Sequence, residues 1–377
     1  MKRNPKYIRT PEKIPQLSQK EKDQLKPVCE KFVMRTNEYY NSLIDWDDPS
    51  DPIRKIVIPN VRELKEWGDL DASNEKAYTK VPGLEHKYDY TALLLVNHVC
   101  GGFCRFCFRK RIFIDKDEVV SDVSEGLKYI RQHKKITNVL LTGGDPLLLS
   151  TNKLTNIISQ LREIKHVQII RIGSKMPAFN PFRIIDDPSL LEMIEKYSTM
   201  EKKIYIMAHF NHPRELTEEA IQAMNVLQKA GAITVNQTPL IRGVNDNPVT
   251  LSELFRKLTF IGVPPYYVFQ CRPTLGNYSY AVRLEKAYEI FEQARMRTSG
   301  LGKRARFVMS HRSGKIEVVG KTENYVFMRY HRAAESNEKS KFMVVKSNPV
   351  AYWFDDYDEA VDEYTLENPF MNVSIAW

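Results

Sequence analysis

The chain has 377 residues, 42% hydrophobic and 11% aromatic, which suits a folded protein of one large domain or two ordinary ones and excludes a disordered chain. No apolar run approaches the roughly 20 residues that cross a bilayer, and no apolar secretory core follows Met1-Lys-Arg-Asn-Pro-Lys6, so a cytoplasmic protein is expected. The net charge of +9 is unevenly placed, with ten Lys and Arg against four acids in residues 1–35, and seven acids and no base from Asp355 onward. That pattern fits solvated arms, or arms packing on a neighbouring subunit of a homo-oligomer, better than a nucleic-acid face.

Residues 1–91 read as a charged, helix-rich lead-in. From residue 92, short β-branched or leucine-rich runs alternate with segments of helical periodicity. Strands are predicted at 93–97, 137–141, 167–172, 204–208, 232–236 and 266–270. Helices are predicted at 124–133, 152–164, 189–198, 217–230, 250–261 and 280–297; Ile221, Met224, Val226 and Leu227 mark the apolar face of the fourth. Six successive βα units imply a parallel sheet, because right-handed crossovers lay each helix on the sheet's face.

An open doubly wound sheet and a partial barrel both fit that count. The polar clusters decide between them. Three cysteines follow the first strand, Gly143-Gly144-Asp145 the second, and Gly173-Ser174-Lys175 the third. His209, Asn211 and His212 follow the fourth, Gln237 the fifth, and Cys271-Arg272-Pro273 the sixth. In a barrel those six carboxyl ends meet at one mouth, where barrel enzymes place their chemistry. The expected fold is α/β: a partial (β/α)6 TIM-like barrel over 92–300, after a helical N-terminal lead-in over 1–91. A short C-terminal extension over 301–377 has strand-like runs at 306–310, 316–319 and 342–345 and ends in the acidic tail.

Of five cysteines, Cys29 and Cys271 stand alone, whereas Cys100, Cys104 and Cys107 lie within eight residues. This argues against a disulfide framework and for a metal or cluster site in a reducing compartment. Gly101-Gly102 is a poor helix interior, at about 1 kcal/mol per glycine, and suits a loop folding back around something. By spacing alone, an iron–sulfur cluster, a zinc site with His98 as fourth ligand and three core thiols all remain open. The zinc reading would make the chain a basic, zinc-stabilised binding protein. Three thiolates would leave one iron of a four-iron cluster open to a ligand that is not protein.

Cys100-Gly-Gly-Phe-Cys104-Arg-Phe-Cys107, placed after the first barrel strand, resembles the signature of the radical S-adenosylmethionine (SAM) superfamily. The resemblance implies a [4Fe-4S] cluster on these cysteines, with SAM on the open iron. Reductive cleavage of SAM then yields an organic radical, the electron coming from a donor such as flavodoxin or ferredoxin. Gly143, Gly144 and Asp145 resemble the glycine-rich segment near the cofactor's amino group. A closer resemblance, to the lysine 2,3-aminomutase family, covers roughly residues 50–330. It includes Val81-Pro-Gly-Leu-Glu-His-Lys87-Tyr88, Cys104-Arg-Phe-Cys107-Phe-Arg109-Lys-Arg111, Leu141-Thr-Gly-Gly-Asp145, Arg171-Ile-Gly-Ser174, His209-Phe-Asn-His212, Asn236-Gln237 and Leu240-Ile-Arg242-Gly-Val-Asn245.

This resemblance implies a pyridoxal phosphate cofactor held covalently by Lys315, with Lys87 and Tyr88 at its phosphate and ring. Ser174, His209 and Gln237 are further expected cofactor-binding residues, for SAM or pyridoxal phosphate, and Arg109 would take the carboxylate of an amino-acid substrate. Without it, residues 306–319 read equally well as a hairpin whose turn contains a lysine. The chain also departs from the family. An arginine expected shortly after Tyr88 is replaced near Thr91, and the carboxyl-terminal zinc cysteines are missing. Two aspartates that hold the distal ammonium of lysine fall at Arg272 and Ser310. A guanidinium at Arg272 would repel such an ammonium by about 4 kcal/mol at about 4 Å. An acidic or neutral polar substrate, glutamate first, is therefore expected. A radical enzyme of this fold without pyridoxal phosphate is the other enzymatic reading.

Overall fold

The computed structural model describes residues 3–114 and 118–365, so Glu367 of the acidic tail lies outside the described residues. The lead-in opens with α1 (Gln19–Lys31), whose amino end is fixed by a capping box between Ser18 and Glu21. A hairpin of β1 (Thr79–Val81) and β2 (Leu84–Tyr88) then pairs antiparallel with β3 (Thr91–Asn97). From β3 onward the strands are parallel: β4 (Asn138–Gly143), β5 (Ile169–Ser174), β6 (Ile204–Ala208), β7 (Ile233–Leu240), β8 (Pro265–Gln270) and β9 (Arg306–His311). The antiparallel strands β10 (Gly314–Lys321), β11 (Tyr325–Ala333), β12 (Phe342–Lys346) and β13 (Asp362–Tyr364) complete a sheet of thirteen in sequence order.

The crossovers carry α2 (Ser124–Gln132), α3 (Thr151–Glu163), α4 (Pro188–Tyr197), α5 (Glu218–Lys229), α6 (Pro248–Phe260) and α7 (Leu284–Met296). Each buries one apolar face on the sheet, as Leu154, Ile157, Ile158 and Leu161 of α3 do. Side-chain caps start several of them, from Ser150, Thr217 and Asn247. Every predicted strand and helix therefore overlaps an observed one, in a partial (β/α)6 barrel. The last helix begins later than predicted, at Leu284, because a 3-10 turn (Tyr278–Tyr280) and the extended Ala281 precede it.

The expected helix-rich lead-in contains a hairpin that its composition does not announce. Leu84-Glu-His-Lys-Tyr88 is mostly polar, and pairing with β3 makes it a strand. The sheet also crosses both expected segment boundaries, since β2 pairs with β3 and β8 with β9. Among the described residues no ladder joins the hairpin to β9 or the strands beyond it; side chains close that seam. Ser73 Oγ donates to the Ser310 carbonyl at 2.7 Å, Tyr78 Oη to that of Arg312 at 2.8 Å, and Lys87 Nζ to that of His311 at 2.6 Å. Arg332 Nη2 donates to Thr91 Oγ1 at 2.9 Å.

Both charged arms pack in part on their own barrel. Ile14, Leu25, Val28 and Phe32 of the basic head are buried, and Asp355 of the acidic tail meets His311 Nε2 at 3.0 Å. The head also braces the cysteine loop, where Phe103 N donates to the Arg35 carbonyl and Arg105 N to that of Ile56. Fully buried Arg105 makes a two-pronged pair with Glu63, Nε to Oε1 at 2.9 Å and Nη2 to Oε2 at 2.8 Å. Lys110 Nζ, also buried, lies 3.8 Å from the same carboxylate. Replacing Glu63 with alanine leaves two cations buried without it and is expected to cost about 3–5 kcal/mol. Denaturant unfolding of Glu63→Ala against wild type measures this, and a loss below about 1 kcal/mol would contradict it.

Candidate active site

A cavity of about 310 Å³ opens at the carboxyl ends of the parallel strands. Its walls include Cys100, Cys104 and Cys107, together with Gly143, Gly144, Asp145, Ser174, His209, Gln237, Lys87, Tyr88, Arg109, Arg272 and Lys315. The residues expected to hold the cluster, the cofactors and the substrate thus reach one space. All five cysteines are free thiols. Burial raises the three in the loop above their ordinary range, Cys104 to about 12. Thiolates in so dry a place call for a strongly cationic partner, and three of them on one wall fit a cluster with one iron open to the cavity. His98, the candidate fourth zinc ligand, is exposed at the end of β3 and does not line the cavity.

The second strand's turn comes close to this loop. Gly143 takes φ +103°, and a Cβ on Gly144 would stand 2.5 Å from the Val99 carbonyl oxygen, so only glycine lets the two segments meet. Asp145 lines the cavity with its carboxylate already engaged by protein donors. Its carboxylate accepts from Ser174 Oγ at 2.8 Å, Lys175 N at 2.8 Å and Leu147 N at 3.0 Å. Those donors tie β4 to β5, and the turn's backbone is bonded to the cysteine loop, Gly144 N to the Asn97 carbonyl and Asp145 N to that of Val99. Burial nevertheless lifts the Asp145 carboxyl to about 6. His209 Nε2 lies 3.1 Å from Gln237 Nε2, and burial followed by the Lys175 charge lowers the ring to about 3, so it is neutral. Gln237 then donates to an unprotonated Nε2.

Lys315 sits in a hairpin and also faces the cavity, so the two sequence readings of it describe the same residue. Its Nζ donates to Ser310 Oγ at 2.9 Å and lies 4.8 Å from the centre of the Phe269 ring. Burial first, then Arg272, Arg332, Arg171 and Lys87, pushes its ammonium well below the ordinary lysine range. Burial and neighbouring cations both favour the free base of this amine, the form that attacks an aldehyde. The donor chemistry fits pyridoxal phosphate.

Two carboxylates not foreseen in the sequence organise the arginines. Glu75 accepts from Arg109 Nε at 3.1 Å and Nη2 at 3.3 Å and from Arg111 Nη1 at 2.9 Å, and lies 3.5 Å from Arg272 Nη1. Burial opposes its charge, yet Arg109, Arg272 and Arg111 together hold it below the usual carboxylate range. Glu85, 3.7 Å from Arg109 Nη2, is pushed up to about 8 by burial and by Glu75. Arg272 therefore faces the cavity and pairs with an acid at once, its guanidinium 3.6 Å over the Phe108 ring. Arg109 Nη1 adds a bond to Thr142 Oγ1 at 2.7 Å, which leaves further N–H donors of its fork for a substrate.

Lys175, Arg171 and Arg332 also line the cavity without having been singled out. Lys175 and Arg171 stand in or beside a motif already read, so a strand-end count could have found them. Glu85 also stands inside a motif already read, whereas Glu75 and Arg332 carry no local signal, because tertiary packing brings them in. Arg332 supplies a guanidinium against Thr91, near where an arginine was expected from β3.

The sequence profile of the radical SAM superfamily matches residues 94–255. A protein of Aquifex aeolicus named "Putative L-lysine 2,3-aminomutase" is 59% identical over 361 residues, 95% of this chain and 96% of that one. L-lysine 2,3-aminomutase of Clostridium subterminale is 41% identical over 288 residues, covering 75% of this chain and 68% of that one. Glutamate 2,3-aminomutase of Clostridioides difficile is 37% identical over 298 residues, 78% and 69% of the two chains.

Proposed function

The chain belongs to the lysine 2,3-aminomutase family of radical SAM enzymes, and on that premise we propose that it is a pyridoxal-phosphate-dependent amino-acid 2,3-aminomutase. One observation carries the reading: the three cysteines, the amine of Lys315 and the guanidinium of Arg109 line the same cavity. When bound, the [4Fe-4S] cluster with SAM supplies a radical able to take hydrogen from an unactivated carbon, and pyridoxal phosphate carries the amino group between neighbouring carbons. Cys100, Cys104 and Cys107 anchor the first, and Lys315 holds the second through its amine. The backbone of Gly143 and Gly144 and the neutral His209–Gln237 pair border the first of these sites. Glu75 fixes Arg109 and Arg272, so that both guanidiniums are aimed before substrate arrives. A one-electron donor of flavodoxin or ferredoxin type and a cytoplasmic setting agree with a thiol-held cluster.

For substrate, Arg109 takes the α-carboxylate and Arg272 the far end, which favours glutamate over lysine. The cavity's own carboxylates, Glu75, Glu85 and Asp145, are all engaged with protein donors or arginines, and none is left for a distal ammonium. Incubating the reduced holoenzyme with SAM, pyridoxal phosphate and single amino acids, then assaying β-amino products, tests both levels. Glutamate is expected to give the higher kcat/KM. A higher value for lysine overturns the substrate assignment, and SAM cleavage with no β-amino product from any amino acid overturns the aminomutase reading.

A further inference from the structure

The deep end of the cavity gathers cations that form no ion pair among the described residues. Arg171 reaches inward from β5 with Nε on Asn138 Oδ1 at 2.8 Å, and Arg332 from β11 with Nη2 on Thr91 Oγ1 at 2.9 Å. Arg332 also lies 4.1 Å over the Tyr88 ring and is the register partner of Lys315. Lys87 donates to the His311 carbonyl. All four cationic residues line the cavity, and none has an ion-pair partner among the described residues. At this level a barrel interior is ordinarily filled by branched apolar side chains, as Leu93 and Leu140 do beside Arg171. Two permanently charged guanidiniums, half-buried in the cavity wall, repel each other and the neighbouring lysines unless an anion completes the site.

We propose that Arg171 and Arg332 form the seat of a phosphate monoester, that of the pyridoxal phosphate held through Lys315. The assignment rests on the cofactor reading above and adds to it the residues that recognise the phosphate. A carboxylate would bring one negative charge and two acceptor oxygens. A phosphate monoester brings nearly two charges and three oxygens, which matches two guanidiniums that each keep several unused N–H donors. Arg332 comes from the strands beyond the six βα units, so the C-terminal extension is part of the cofactor site and not only its cover.

Equilibrium titration of the reconstituted enzyme with pyridoxal phosphate and, separately, with pyridoxal tests the seat. Arg332→Gln and Arg171→Gln are each expected to weaken pyridoxal phosphate by at least about tenfold while leaving pyridoxal within about twofold. Arg332→Lys is expected to recover part of the loss, because one donor and the charge remain. Wild-type preference for the phosphorylated form in both glutamine variants overturns the seat and leaves the cofactor reading standing. Equal loss of both forms, or unchanged cofactor affinity with a raised KM for the amino acid, also overturns it, the latter reassigning the pair to substrate. A wild-type enzyme that binds neither form overturns the cofactor reading and the seat together.

Discussion

Alanine in place of Cys100, Cys104 or Cys107 is expected to abolish reductive cleavage of SAM, each substitution alone being sufficient. The reason is arithmetic: a four-iron cluster takes four ligands, the loop supplies three, and none is spare. Loss of an outer partner of a metal ligand already costs roughly 10–100-fold, and loss of a ligand itself should exceed that range. Production of 5′-deoxyadenosine after anaerobic reconstitution, with iron content measured on the same sample, gives the answer. Cys29→Ala is the control, since Cys29 lies outside the cavity lining and packs against the core of the lead-in. Wild-type-like cleavage by any of the three loop variants would remove the cluster from this loop.

Lys315→Ala should leave SAM cleavage in place and lower amino-group migration by about 10³-fold or more, the scale on which a lost nucleophile is felt. Borohydride treatment of the wild-type enzyme with pyridoxal phosphate should fix the cofactor to the peptide containing Lys315, as read by mass spectrometry. The depressed ammonium adds a sign to this. A lysine whose folded value lies below its ordinary 10.5 is deprotonated at lower pH than a solvent lysine. Trapping at Lys315 should therefore reach its plateau at a lower pH than trapping at an exposed lysine. Label on another lysine, or trapping that climbs steadily toward pH 10, would count against the assignment.

The local chemistry of this protein stands in its linear sequence. The cysteine spacing, the Gly-Gly-Asp turn and the alternation of strand and helix depend on near neighbours, and they predict six βα units with a shared mouth. The amphipathic helices need only their own periodicity to be read, and all six are found. Tertiary structure alone decided how the ends of the sheet meet. Polar Leu84-Glu-His-Lys-Tyr88 becomes a strand because β3 offers it an edge, and the seam with β9 and β11 is closed by single side-chain bonds that leave no periodic trace. That closure places Glu75 between Arg109, Arg111 and Arg272, and Arg332 against Thr91 more than two hundred residues earlier in the chain. It also accounts for Asp145, whose carboxylate is claimed by a serine and a backbone amide on the next strand. A carboxylate's role depends on which donors reach it first, and such donors are set by strand packing, not by residues adjacent in sequence.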